Sequence, residues 1–133
     1  MNNHNVPTLS DPSLLKLDVA YVDGEWVKAK SGKTFEVHDP TTGKPIGSVP
    51  EMDASDTEAA IAAAAAAFKT FKHWTGRERA KVLRRWYELM IAHQGDIATL
   101  ITWENGKPIA DARGEATYAA SFFEWFSEEA PRV

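Results

Sequence analysis

The chain has 133 residues, 15 Lys and Arg against 19 Asp and Glu for a formal net charge of −4, and no cysteine. That length accommodates one core, the acidic balance argues against a dedicated nucleic-acid or anionic-membrane binder, and the absent thiols exclude disulfides, thiol catalysis by this chain and thiolate metal sites. The longest uncharged apolar run, residues 59–68, is about half a membrane span, and no basic, apolar leader opens the chain, so the sequence predicts a cytoplasmic location.

Residues 1–19 read as a flexible N-terminal arm, polar, broken by Pro7 and Pro12, and docked at most by Leu14 and Leu15. Tyr21-Val22-Asp23-Gly24-Glu25-Trp26-Val27 then places two short β pieces around an Asp-Gly pair, a strong hairpin signal. Residues 34–38 alternate as a strand does and run into the turn cluster Asp39-Pro40-Thr41-Thr42-Gly43. Ile46-Gly47-Ser48-Val49 offers one more short strand before Pro50. Together, residues 20–50 predict a small antiparallel sheet.

From Ser55 the period becomes helical. Ser55-Asp56-Thr57-Glu58 fits a capping box, with Ile61, Ala64, Phe68 and Phe71 following at helical spacing through an alanine run. Thr75-Gly76-Arg77-Glu78 repeats the box and opens a second helix. Its apolar stripe is Val82, Leu83, Trp86, Leu89, Met90 and His93, and Gln94-Gly95 marks its end. Asp96 is expected to cap a shorter helix carrying Ile97, Leu100, Ile101 and Trp103, closed by Asn105-Gly106. The last helix is expected from about Pro108 to Ala130, with Pro131 as its stop. Its Phe122, Phe123, Trp125 and Phe126 point in about three directions, so they call for partners on several sides.

Few motifs carry chemistry. Gly32-Lys33-Thr34 lacks the earlier glycine and the following helix of a phosphate loop, and no G-x-G-x-x-G is present. His4, His38, His73 and His93 are scattered without metal or triad spacing. Arg77, Lys81, Arg84 and Arg85 interleave with Glu78 and Glu88 as a solvated helix face does. Glu104 and Glu115 lie nearest the aromatic cluster, yet eleven residues apart they define no acid–base pair. No catalytic, cofactor-binding or metal-binding constellation emerges.

The segments 21–26 (YVDGEW), 31–37 (SGKTFEV), 39–44 (DPTTGK), 46–50 (IGSVP), 77–90 (RERAKVLRRWYELM), 104–116 (ENGKPIADARGEA) and 118–130 (YAASFFEWFSEEA) together resemble the aldehyde dehydrogenase superfamily. Within it the likeness is to the succinate-semialdehyde dehydrogenase branch, which oxidises succinate semialdehyde to succinate with NAD or NADP in 4-aminobutyrate breakdown. The resemblance runs from about residue 20 to the last residue. It implies an α+β chain, short N-terminal antiparallel strands (about 20–50) followed by about four helices (about 55–130), forming an incomplete N-terminal part of the α/β aldehyde dehydrogenase fold. Such enzymes add a Rossmann-type cofactor domain, a catalytic domain and an oligomerisation domain. Their nucleophilic cysteine, water-activating glutamate and carboxylate-reading arginines have no matching position here.

By the same resemblance, Glu115, Tyr118 and Phe122 are candidates for the wall of a substrate entrance, and Glu104 for a monovalent-cation ligand. Pro131 departs from the basic residue that many relatives carry. The expectation is a truncated segment, inactive alone and binding no cofactor by itself. Its partner would be the missing C-terminal portion, a full-length homologue or further copies of itself, with no nucleic acid and no membrane. The alternative is a non-catalytic helical interaction module that binds a full-length relative or self-associates.

Overall fold

The structure is a computed structural model that describes residues 6–132; the first five residues of the arm, His4 among them, and Val133 lie outside the described residues. The described chain separates into two compact units. One comprises Val6 and Leu15–His73, the other Pro7–Leu14 and residues 74–132.

In the first unit, β1 (Ala20–Val22) and β2 (Glu25–Val27) pair antiparallel with Tyr21 opposite Trp26. Asp23 and Gly24 both adopt positive φ, 52° and 84°, as a two-residue hairpin turn that follows strand twist requires. The Tyr21 and Trp26 rings meet at 5.1 Å across the pair. A second hairpin joins β3 (Thr34–His38) to β4 (Pro45–Pro50). Its loop is tied by the Asp39 carboxylate, which accepts the Thr41 amide and the Thr42 hydroxyl, each at 2.8 Å.

These are two separate two-stranded ladders, not the single sheet expected over residues 20–50. The chain between them explains why. The Lys30 amide donates to the Asp56 carboxylate and its ammonium to the Ser55 carbonyl, so this backbone bonds to a helix start rather than continuing a ladder. That helix, α1 (Ala54–Phe71), is capped by Asp53 and not by Ser55. Asp53 accepts the amides of Ser55 and Asp56, and the Asp56 carboxylate reaches back to the Asp53 amide, so the box sits two residues earlier than expected.

The second unit holds α2 (Gly76–Ala92), α3 (Gln94–Asn105) and α4 (Ile109–Glu129). The Thr75–Glu78 box forms as expected: the Glu78 amide donates to the Thr75 hydroxyl oxygen, and the Glu78 carboxylate accepts the Thr75 amide at 2.7 Å. Gly106 ends α3 at φ 74°, in the left-handed region that Asn105-Gly106 signals. Gln94-Gly95 does not form a gap: His93 alone separates α2 from α3, and both residues belong to the first turn of α3. The α-helix ends at Glu129 with Ala130 as its C-cap, just ahead of Pro131 as expected, and Ala130–Arg132 follow as a 3-10 turn.

The helices α2 and α4 run antiparallel. Gly76 meets Ala130, the Trp86 and Phe123 rings pack at a tilt with centroids 4.6 Å apart, and Gln94 donates to the Arg113 carbonyl and the Thr117 hydroxyl. The buried face of α4 is Ala112, Ala116, Ala120 and Ser127, small side chains that let neighbouring helices approach closely. Among the described residues no large side chain is fully buried, and the core is mostly alanine.

Candidate functional site

The strongest surface feature is the outer face of α4. With alanines turned inward, the aromatics are left outside: Tyr118 is 68% exposed, Phe122 47%, Trp125 64% and Phe126 54%. They line an open groove of about 750 Å³ with Ser121, Glu124 and Glu128 on its rim. Tyr118 and Phe122 meet edge to face at 4.9 Å, the favoured geometry for two ring quadrupoles.

Glu115, one turn earlier, is ion-paired with Lys107 of the α3–α4 connection. Positions 115, 118 and 122 follow helical spacing, so the structure brings these three candidate residues onto one face of α4. Glu104 does not join them. It stands exposed near the end of α3, and among the described residues no group of three or more His, Asp or Glu side chains converges where a metal ion could sit.

The rim of the groove is acidic. Arg84 reaches Glu124 at 3.5 Å and Glu128 at 3.9 Å, and Glu88 on its own helix at 3.9 Å, so one guanidinium faces three carboxylates. All are about half exposed, where each such pair is worth no more than a few tenths of a kcal/mol. The Arg84–Arg85 cluster is therefore a solvated helix face rather than an anion site.

Asp96 is the residue that sequence reasoning misplaced. It does not cap α3; its buried carboxylate accepts the amides of Ser10 at 2.8 Å and Asp11 at 2.9 Å. Those two amides, with the His93 side chain 3.9 Å away, hold the carboxyl below its ordinary range. In the arm, Leu9 is the buried side chain; Leu14, one of the two residues expected at most to dock it, stays exposed, and Leu15 is half-buried. Nothing in the sequence joins positions 85 and 86 residues apart. The alanine face of α4 did carry a signal, a small residue at every fourth position from Ala112 to Ala120.

Residues 26–133 match the aldehyde dehydrogenase family. The chain is 53% identical to glutarate-semialdehyde dehydrogenase of Pseudomonas aeruginosa over 94% of its length and 26% of that protein. It is 50% identical to succinate-semialdehyde dehydrogenase [NADP(+)] of Saccharomyces cerevisiae over its whole length, again 26% of that protein. Among solved structures, the aldehyde dehydrogenase of Brucella melitensis biovar abortus 2308 superposes with a TM-score of 0.92 at 48% identity, covering 96% of this chain and 26% of that one. The chain thus spans about a quarter of the length of the relatives it matches, and its short strands and four helices form part of their fold.

Proposed function

The chain belongs to the aldehyde dehydrogenase family, and from that membership we propose that it serves as the N-terminal segment of an NAD- or NADP-dependent dehydrogenase of short aldehydes that carry a carboxylate at the far end. The observation that carries this reading is near-equal identity, 53% and 50%, to enzymes of glutarate semialdehyde and of succinate semialdehyde. Those substrates differ by one methylene and share the aldehyde and the distal anion. Similarity this even supports the shared chemistry, and succinate semialdehyde, in 4-aminobutyrate catabolism, is the substrate we favour.

The chemistry divides accordingly. A thiolate adds to the aldehyde carbon, and hydride then leaves for the nicotinamide. This chain has no cysteine, so the nucleophile must come from the part of such an enzyme that the chain does not match. The contribution of this segment is positional. Glu115, Tyr118 and Phe122 line the approach to the aldehyde site, with Lys107 held against Glu115. Glu104 is the weaker assignment, a single carboxylate offered to a monovalent cation. We place its action in the cytoplasm. Among the described residues no helix is long and apolar enough to cross a membrane.

The test is a chimera in which this chain replaces the matching quarter of the Saccharomyces cerevisiae enzyme. It should reduce NADP with succinate semialdehyde, and the 133-residue chain alone should not. A soluble chimera without turnover, or turnover by the pure isolated chain, would overturn the reading. One observation favours the second reading, a non-catalytic interaction module: the second unit closes its own alanine face and leaves an aromatic one free. A sharp unfolding transition and a defined oligomer of the isolated chain would support that module.

A further inference from the structure

We propose that Lys107 sets the charge of the substrate approach, and this rests on the reading above. By pairing with Glu115 it cancels the single carboxylate among the three entrance candidates, so an aldehyde with an anionic far end is admitted there. The backbone on either side fixes where the lysine starts from. Gly106 before it caps α3 at φ 74°, and Pro108 after it caps α4 and disfavours a helical backbone at Lys107 itself. A side chain bracketed in this way reaches Glu115 with its own surface only 30% exposed, against 50% for the glutamate.

The charges along α4 show why such a pair matters. Glu124 and Glu128 stand on the groove rim, and the Arg84 that faces both is shared with Glu88, so that end holds more negative charge than positive. At the Glu115 end the count is one to one. An anion thus meets a repulsive rim at one end of the face and a balanced one at the other. Glu115 lies three residues before Tyr118, and helical neighbours at that spacing stand about 5–6 Å apart, so a bare carboxylate would act at short range on anything lying against the Tyr118 ring. A pair this exposed contributes little to stability. Its effect lies in the charge that it removes from the approach.

Because the chain has no cysteine, Tyr118→Cys introduces a single thiol beside the pair. Its alkylation by iodoacetate is compared with that by iodoacetamide; the reagents differ in charge, and the ratio of their rates cancels any change in thiolate fraction. In that background Lys107→Met should lower the ratio about threefold to sevenfold at low salt, the Boltzmann factor for one unit charge removed about 7 Å away at an effective dielectric of about 40–80. Glu115→Gln should raise the ratio by a similar factor, the two substitutions together should restore it, and Lys107→Arg should hold it at the starting value. A ratio that Lys107→Met does not move, or that Glu115→Gln does not restore, overturns the proposal. The chimera gives a second readout. There Lys107→Met should lower kcat/KM for succinate semialdehyde relative to that for butanal, which has the same four carbons and no carboxylate, by a similar factor and through KM. Equal losses with both aldehydes, or a loss confined to kcat, mark a structural contact and overturn the proposal. A chimera without turnover removes the dehydrogenase reading, while the alkylation ratio still decides whether Lys107 sets the charge of this face. An active chimera whose preference between the two aldehydes ignores Lys107 removes this proposal alone.

Discussion

Glycine at position 76 offers a test in which two effects of opposite sign compete. Replacing glycine by alanine inside a helix ordinarily stabilises by about 0.5–1 kcal/mol, because the unfolded chain loses freedom. Gly114, in the interior of α4, has nothing within 4 Å of where a Cβ would stand, so Gly114→Ala should realise that gain. At Gly76 the same Cβ would lie 2.1 Å from the Ala130 carbonyl oxygen and 3.0 Å from its carbon. Both atoms are backbone, so no rotamer change relieves the overlap, and the turn after α4 must move by about an ångström. Overpacking of this kind costs about 1–3 kcal/mol. Set against the intrinsic gain, Gly76→Ala should be net destabilising by roughly 1–2 kcal/mol, a fall of about 5–10 °C in melting temperature for a unit of this size. Thermal unfolding followed by circular dichroism at 222 nm reads both variants. A Gly76→Ala protein that melts at or above the parent's temperature would refute the close approach of the two helix ends.

Ala116, 2% exposed on the inner face of α4, should tolerate no larger side chain: Ala116→Leu should lose about 1–3 kcal/mol in chemical denaturation, while Ala119→Leu on the exposed side stays within about 0.5 kcal/mol. Equal effects would mean that the alanine stripe is not the packed face. Asp96→Asn should speed hydrogen exchange at the Ser10 and Asp11 amides at neutral pH. The sign of the pH dependence follows from the lowered carboxyl: its contribution is present above the unfolded value of about 3.9 and is lost as pH falls through the lower folded value. The parent's two amides should therefore lose protection only in acid below the usual carboxylate range. Exchange insensitive to both the variant and acid would sink the clamp.

Local signals were legible wherever a few neighbouring residues decide the outcome. Asp23-Gly24 specified its hairpin because both residues tolerate positive φ. Thr75 and Glu78 specified a helix start because each satisfies the other's backbone amide. Where two local solutions compete, sequence alone misjudged them. Asp53 and Ser55 can both cap α1, and the choice fell to Asp53 because Asp56 reaches back to the Asp53 amide while also receiving Lys30 from a loop 26 residues away. The candidate site was half legible: helical spacing puts Glu115, Tyr118 and Phe122 on one face, but nothing local says whether that face is covered.

By itself, then, the sequence determined the helices and hairpins, the family and the absence of a thiol nucleophile from these 133 residues. Only the tertiary structure decided which side of each element is buried. Hydrophobicity ranks Phe122 and Trp125 far above Ala116, yet helices pack closely where side chains are small, so α4 turned its alanines inward and its aromatics out. The same applies to Asp96, whose partners lie 85 and 86 residues away. Hydrogen bonds over that separation are set by where the folded backbone passes, which no local pattern of residue types encodes.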